Sequence, residues 1–190
     1  MGIFFKYLEN IAEINNLDIM HSINQNRQWI FHHGMLFSSC FKWWENHGKR
    51  KTLHEGVDIL YYKNKKQQIQ TLDAGTLIPS ATDGKIINIC DDFIGQSIVV
   101  QHNISFRQNL DLLFIYAHIL PDNRIQIGTE LSQGEIIASI ANTQKKQTTL
   151  LAHLHFSVIE VSKDTAPEHL NWEFFSDRKN RINLINPLFI

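Results

Sequence analysis

A mainly β domain preceded by a short helical segment is the fold class that the sequence predicts. From about residue 35 onward, short runs rich in β-branched and aromatic residues alternate with turn signals, and no helical period exceeds about two turns. The runs predicted as strands are 85–89, 96–102, 110–119, 135–140 and 153–161. The turn signals between them are Asp83-Gly84, Ile94-Gly95, Pro121-Asp122-Asn123 and Gln133-Gly134. Several short strands at this spacing are typical of a sandwich or a barrel-like domain.

The first 35 residues differ in pattern from the rest of the chain. Apolar residues recur there at three- and four-residue spacings, which predicts an amphipathic helix. These apolar residues are Phe4, Leu8, Ile11 and Ile14. We therefore expect a helical N-terminal extension over residues 1–35 and the main domain over residues 36–190. The tail, residues 171–190, is predicted to be a loop followed by a final short strand or cap.

The composition fits one globular domain and points to no charged partner. Of the 190 residues, 43% are hydrophobic, which is enough for a substantial core. The 18 basic and 19 acidic residues give a net charge of −1, so neither a nucleic-acid footprint nor a polybasic membrane anchor is predicted. The N-terminal apolar run ends at Lys6, which argues against a signal peptide or a membrane span. Cys40 and Cys90 are predicted to be small buried hydrophobes, with a single bridge between them as the alternative.

The segment "LHEGVDIL" places His54 and Asp58 four residues apart. A helix would bring both side chains to one face, but Gly56 and the β-branched Val57 and Ile59 disfavour a helix here. We predict a turn running into a strand, in which Gly56 allows the tight backbone that lets the two side chains converge. Since an imidazole nitrogen and a carboxylate oxygen can begin a zinc site, the pair is a candidate metal half-site.

The segment "LAHLHF" contains two histidines one residue apart. In a strand, residues i and i+2 project from the same face, so His153 and His155 share one face. Leu154, Phe156 and Val158 then share the opposite, apolar face. Two imidazoles facing a groove can divide the chemistry, one as a metal ligand and the other as a base. The alternative is a pair of buried histidines, each satisfied by its neighbours.

The segment "LLFIYAHI" is a nearly continuous apolar strand that only Tyr116 and His118 interrupt, again as residues i and i+2 of one face. Taken alone, His118 would be an ordinary histidine of a core strand. Beside the other two motifs it becomes a candidate catalytic imidazole or a support for the metal ligands. The other histidines show no such spacing and are predicted to be structural. These are His21, His32, His33, His47, His102 and His169.

Three motifs follow one another along the chain: HxGxD at His54, a strand ending Tyr-Ala-His at His118, and HLHF at His153. In this order they resemble the motifs of the lysostaphin-type zinc metalloendopeptidases, which cut bacterial cell-wall peptide. The resemblance extends through "AGTLIPSATDGKIINI", "GQSIVVQHN" and "INPLFI" and covers roughly residues 36–190. It implies an antiparallel β-sheet core with an open groove, built on the duplicated hybrid motif of that family.

The same resemblance implies the residues of the site. One zinc ion per chain would be held by His54, Asp58 and His155, with water in the fourth position. His118 and His153 would flank that water as general base and as stabiliser of the tetrahedral oxyanion. The implied partner is the peptide part of peptidoglycan, the implied location is periplasmic or extracellular, and the chain is expected to act as a monomer.

Two segments are expected to form the walls of the groove, residues 61–75 and 141–152. The second reads "ANTQKKQTTLLA" and lacks the glycine of the family's loop, so the bond that is cut stays open. Three other functions are alternatives: a non-catalytic relative that binds and activates a cell-wall amidase, a β module with a structural zinc, and a protease acting on proteins. Non-catalytic relatives typically lack ligand or catalytic residues, whereas all five candidates are present here.

Overall fold

The computed structural model describes residues 2–21, 27–103, 107–143, 148–177, 179–180 and 182–190. Two α-helices lie in these ranges, α1 (Ile3–Ile14) and α2 (Trp172–Ser176). The strands are β1 (Trp29–Ile30), β2 (Val57–Ile59), β3 (Tyr61–Lys63), β4 (Ile69–Thr71), β5 (Leu77–Pro79), β6 (Gly84–Asp91), β7 (Gln96–His102), β8 (Leu110–Pro121), β9 (Glu130–Leu131), β10 (Ile136–Ile140), β11 (Leu154–Ser162) and β12 (Asn183–Ile185). Short 3-10 helices cover His33–Met35, Pro167–His169 and Pro187–Phe189. The predicted mainly β class is confirmed, and each predicted strand matches one of β6, β7, β8, β10 and β11.

The main sheet is antiparallel and runs in the order β12-β11-β8-β7-β6-β9. Strand β10 pairs with β8 and carries β5 on its other side. Strand β2 pairs with the first residues of β11, beside the point where β8 pairs with the other edge of β11. A separate small sheet of β1, β3 and β4 lies outside this arrangement. The start of β11 is therefore flanked by strands on both sides.

One face of the main sheet holds the large apolar cluster of the protein. Leu154, Phe156 and Val158 of β11 all belong to it, as the alternation of the strand predicts. The helix α1 packs on the same cluster, and its Tyr7 ring lies 4.9 Å from the ring of Phe156. The predicted N-terminal helix is thus confirmed and shares the core of the sheet. The division of the chain at residues 35 and 36 stays a prediction.

The opposite face carries a second, smaller apolar cluster. Ile159 and Val161 of β11 belong to it, and Leu170 and Phe175 from the C-terminal segment cover it. Burial on both faces explains why β11 is buried along nearly its whole length. The tail was predicted to be a loop before the final strand, and this was wrong for the residues of α2. The N-cap of this helix is Asn171, whose side chain accepts a hydrogen bond from the backbone N–H of Phe174. The predicted final strand is β12.

Both cysteines are free thiols. Cys40 is exposed and Cys90 is half-buried, so the predicted burial was wrong for Cys40. Burial and the nearby Asp92 and Asp91 raise the pKa of the Cys90 thiol to about 11, which keeps it protonated. Within the described residues, no helix has the length and apolar character needed to cross a membrane.

Candidate metal centre and active site

Three side-chain atoms converge at the edge between β2 and β11 and can act as metal ligands. His54 Nε2 lies 3.1 Å from Asp58 Oδ1 and 3.1 Å from His155 Nδ1, and the last two atoms are 2.8 Å apart. Bonds of about 2.0–2.1 Å in a tetrahedral zinc site separate ligand atoms by about 3.3 Å, so this spacing fits one metal ion. All three residues are buried, and this is the one such group found among the described residues. Three protein ligands leave one tetrahedral position for a substrate or water.

The pairing of β2 with β11 creates this convergence. In the sheet register, Asp58 stands directly opposite His155, so the two side chains project side by side from the same face. Gly56 lets the two segments approach this closely: a Cβ atom there would overlap Ser157 Oγ and lie 2.9 Å from His155 Nε2. The sequence prediction of a turn entering a strand at Gly56 is confirmed, and the need for glycine is the lack of space at that position.

The second nitrogen of each ligand histidine has its own partner. His54 Nδ1 donates to the carbonyl oxygen of Leu36 at 3.1 Å, which leaves Nε2 without a proton and free to bind a metal. His155 Nε2 lies 2.8 Å from Ser157 Oγ. Both hydrogen-bond partners are neutral, the Glu55 carboxylate lies 3.9 Å from His155 Nε2, and both histidines are almost fully buried. The ring orientations are thereby fixed before a metal binds.

Asp58 is held by two donors that no sequence pattern indicates. Trp43 Nε1 donates to Asp58 Oδ2 at 2.6 Å, and Arg50 Nη2 donates to the same oxygen at 3.3 Å. Burial opposes ionisation of this carboxyl group, but the nearby His54 and His155 outweigh it and hold the pKa of Asp58 well below its usual range. Asp58 is therefore a carboxylate with Oδ1 directed at the ligand group and Oδ2 fixed by the segment before it.

His153 precedes the first residue of β11 and lies beside the ligand group. Its Nδ1 donates to the carbonyl oxygen of Leu151 at 2.8 Å, so its Nε2 carries the lone pair, 3.7 Å from Asp58 Oδ1. Burial lowers the pKa of His153 to about 3, so the ring is neutral near neutral pH. The imidazole also meets the edge of the Trp43 ring, with the centroids 5.1 Å apart.

His118 reaches the site through an irregularity in β8. Its φ of +64° is in the left-handed region, and the register between β7 and β8 shifts at this point. The His118 ring lies 4.9 Å from that of His153 and 5.7 Å from that of His155. Tyr116 instead points into the large apolar cluster, where its hydroxyl accepts from the backbone N–H of Ala81. The predicted common face for Tyr116 and His118 was wrong, because the bulge breaks the alternation between them.

Asp92, at the hairpin between β6 and β7, is a site neighbour that sequence reasoning missed. His118 Nδ1 donates to Asp92 Oδ1 at 3.1 Å, and the backbone N–H of His118 donates to Asp92 Oδ2 at 2.8 Å. Although burial disfavours its charge, the hydrogen bonds from His118 hold the pKa of Asp92 far below its usual range. In the sequence, an aspartate three residues before Gly95 indicates a turn and nothing more.

These groups line a cleft with a volume of about 580 Å³. All five predicted site residues border it. Its walls include side chains from three further segments: Lys42, Trp44, Glu45 and Arg50; Phe93; and Trp172 and Ser176. Thr148 and Leu150 come from the predicted wall 141–152. Residues 144–147 of that wall lie outside the described residues. The prediction for 61–75 was wrong, because none of its residues lines the cleft and most of the segment forms β3 and β4 of the small sheet.

None of the six histidines predicted to be structural lines the cleft. Three of them cluster elsewhere: the rings of His32 and His33 are 4.2 Å apart, and those of His32 and His47 are 5.4 Å apart. His32 Nδ1 accepts from the backbone N–H of Gly34 and so begins the 3-10 helix there.

Three converging ligand atoms define a candidate metal-binding site in a mainly β fold, and comparison with known proteins identifies the family. The model of peptidase family M23 matches residues 52–167, more than half of the chain and a range that includes all five predicted site residues. The chain therefore belongs to peptidase family M23, which confirms the resemblance predicted from the three motifs. No curated protein matches the sequence significantly.

Several solved structures share similarity at low sequence identity. Lysostaphin is 16% identical, with 83% of this chain and 54% of that chain covered and a TM-score of 0.47. LytU is 22% identical, with 73% and 81% covered and a TM-score of 0.43. The prophage-encoded M23 protein EnpA from Enterococcus faecalis is 15% identical, with 84% and 94% covered and a TM-score of 0.44. The chain thus spans about half the length of the lysostaphin chain.

Proposed function

We propose that this M23 family member is a zinc-dependent endopeptidase that hydrolyses peptide bonds in the cross-bridges or stems of bacterial peptidoglycan. The observation that carries the proposal is the convergence of His54, Asp58 and His155 on one point beside two further imidazoles, all within one open cleft. Three ligands with an open fourth position are typical of catalytic zinc, whereas a structural zinc takes four protein ligands. This difference disfavours the structural-zinc alternative.

His54, Asp58 and His155 would hold the zinc. Nitrogen and carboxylate oxygen ligands in a tetrahedral arrangement suit this ion. When bound, zinc supplies a Lewis acid that polarises the scissile carbonyl and activates a water molecule. The Leu36 carbonyl accepts the Nδ1–H of His54 and so leaves Nε2 for the metal, while the Ser157 hydroxyl can accept the Nε2–H of His155 when Nδ1 binds the metal. Trp43 and Arg50 hold the Asp58 carboxylate in place.

His118 and His153 supply the proton transfers in this proposal. Each donates Nδ1–H to a fixed acceptor, so each turns an unprotonated Nε2 towards the cleft. One of these nitrogens accepts the proton of the attacking water, and the imidazolium that results stabilises the tetrahedral oxyanion or passes the proton to the leaving amine. Their rings are 4.9 Å apart, close enough for both to reach one substrate group.

The cleft would accept the substrate as an extended peptide. Trp44, Phe93, Leu150 and Trp172 give its walls apolar surface, while Lys42 and Glu45 add charges of both signs at one side. Every group of the proposed site comes from one chain, which is consistent with action as a monomer. A peptidoglycan substrate implies a periplasmic or extracellular place of action.

The proposal is tested by metal analysis and by digestion of purified cell walls. We expect one zinc per chain and the release of peptide fragments from sacculi, with a chelator abolishing the release and zinc restoring it. Sacculi of different cross-link chemistry, followed by mass spectrometry of the fragments, identify the bond. Protein that binds no zinc, or zinc-loaded protein that cleaves neither sacculi nor peptides, would refute the proposal. Stimulation of a cell-wall amidase by an inactive zinc-loaded protein would support the activator alternative instead.

A further inference from the structure

A buried carboxylate next to His118 has no role in the proposed metal site. The side chain of Asp92 is 2% exposed, and it lies on the β6–β7 hairpin, apart from the strands that carry the ligand residues. A buried charge is costly unless several hydrogen bonds compensate for it. The way in which this charge is compensated indicates what Asp92 does.

Asp92 Oδ1 shapes the hairpin and holds the His118 ring. It accepts from the backbone N–H groups of Ile94 at 2.9 Å and Gly95 at 2.7 Å, and from His118 Nδ1 at 3.1 Å. The first two bonds form an ordinary turn closed by an aspartate side chain. The third goes to an imidazole in the cleft, which turn formation does not require.

Asp92 Oδ2 holds the backbone at the bulge. It accepts from the backbone N–H of His118 at 2.8 Å, at the residue whose φ is +64°. A left-handed conformation is unfavourable at a residue other than glycine and persists only where surrounding contacts enforce it. Because one carboxylate binds both the backbone N–H and the ring of His118, it fixes the position and the rotation of the imidazole together.

The same oxygen connects His118 with Trp172, a residue of the cleft wall. Ser97 Oγ donates to Asp92 Oδ2 at 2.9 Å and accepts from Trp172 Nε1 at 2.8 Å. The Trp172 ring lies 5.5 Å from the ring of His155. The wall residue Trp172 is thereby tied to the group that holds His118.

We propose that Asp92 is a positioning residue that holds His118 as the Nδ1–H tautomer, with its unprotonated Nε2 facing the cleft. The catalytic meaning of this assignment rests on the proposed function, but the tautomer itself does not. A carboxylate only accepts hydrogen bonds, so its contact with Nδ1 requires the proton there. The negative charge also lies beside the ring that would take up a proton during hydrolysis.

The direct test is the tautomer of His118 in zinc-loaded protein, read from long-range nitrogen–proton NMR correlations of the imidazole at neutral pH. We expect the Nδ1–H form in the wild type. We expect Asp92→Asn to shift His118 towards a mixture of tautomers, with zinc content unchanged. A wild-type His118 in the Nε2–H form would overturn the proposal, and this result needs no variant to fold.

Kinetics provide the second readout, with Asp91→Asn as the matched control. Asp91 is the exposed neighbour whose side chain accepts from Gln96, so its substitution leaves His118 untouched. We expect kcat to fall about tenfold or more in Asp92→Asn with KM nearly unchanged, and the control to behave as the wild type. Unchanged kcat and an unchanged tautomer in folded Asp92→Asn would overturn the positioning role. If the wild-type protein bound no zinc and had no activity, the proposed function would fail, while the His118 tautomer, read in the metal-free protein, would still decide the assignment of Asp92.

Discussion

The metal-ligand side chains and His118 reach the same cleft by different structural means. Asp58 and His155 stand opposite each other in a regular pair of strands, so ordinary sheet geometry brings them together. His118 instead lies at a bulge, with a left-handed backbone that Asp92 holds from a neighbouring hairpin. Away from the metal position, His54 donates to a backbone carbonyl and His155 contacts the Ser157 hydroxyl, with the Glu55 carboxylate 3.9 Å from His155 Nε2. His118 instead donates directly to a carboxylate.

This difference matches the two tasks that we propose. A ligand imidazole has to keep one nitrogen unprotonated and one ring orientation, which a fixed acceptor at its other nitrogen supports. An imidazole that accepts a proton gains from a carboxylate partner while the proton is on it. His153 combines features of both groups, because it is buried and has a carbonyl partner but turns Nε2 to the cleft. Substitutions can separate the two tasks.

The largest effect is expected for His155→Ala. It removes one of three ligands, and the remaining His54 and Asp58 cannot define a tetrahedral site. We expect zinc content to fall from one per chain to near zero and peptide hydrolysis to fall to background, measured by metal analysis and fragment release. The control is His169→Ala, since His169 is exposed and lies away from the cleft. Full zinc retention in His155→Ala would contradict the ligand assignment.

His118→Ala and His153→Ala should separate metal binding from turnover. Each removes a proposed proton-transfer group and no ligand, so we expect zinc content to persist while kcat falls about 10²–10⁴-fold. Metal analysis and steady-state kinetics on the same preparations check both expectations. If His153→Ala lost zinc while His155→Ala kept it, the roles of these two histidines would be reversed.

The contrast between the metal ligands and His118 also explains which parts of the site could be predicted from the sequence. Spacing in the sequence revealed His54 with Asp58 and His153 with His155, because each pair is close in the chain and lies at or next to a strand. Alternation also assigned Leu154, Phe156 and Val158 to the core. In a regular strand, spacing along the sequence directly determines which side chains share a face, so such patterns predict the structure.

The residues that escaped prediction depend on contacts between distant segments. Asp92 is 26 positions from His118, and Trp43 is 15 positions from Asp58. Neither contact produces a periodic pattern of residues in the sequence. The bulge at His118 inverts the face that alternation assigns, and α2 is only five residues long, too short for a helical period to be visible. Hydrogen bonds between loops and strands, rather than strand patterning, supply this part of the site.

A smaller effect is expected for Gly56→Ala, which tests the regular strand pair itself. The added Cβ would overlap Ser157 Oγ and lie 2.5 Å from the Phe156 carbonyl oxygen, so β2 and β11 have to separate. We expect a loss of about 1–3 kcal/mol in the free energy of unfolding, from urea denaturation, together with weaker zinc binding. The matched control is Gly48→Ala, where the nearest atoms belong to the exposed Asn46 side chain. Equal stability of the two variants would show that the close approach at Gly56 is not needed.

The smallest effect is expected for Trp43→Phe, which removes the 2.6 Å hydrogen bond to Asp58 Oδ2 and keeps most of the aromatic contact. Loss of such an outer partner typically weakens metal binding, here by about tenfold, because Asp58 becomes free to rotate. Competition with a chelator measures this change.

Trp29→Phe is the control for Trp43→Phe. The indole nitrogen of Trp29 is also buried, but it has no hydrogen-bond partner among the described residues, so its removal breaks no hydrogen bond. We therefore expect zinc affinity to fall in Trp43→Phe alone, while Arg50 still holds Asp58 Oδ2 in that variant and limits the loss. Equal zinc affinity in the two variants would mean that the regular strand pair alone fixes the Asp58 ligand. In that case a distant segment would be needed to hold His118 in place, through Asp92, but not to hold the metal ligands.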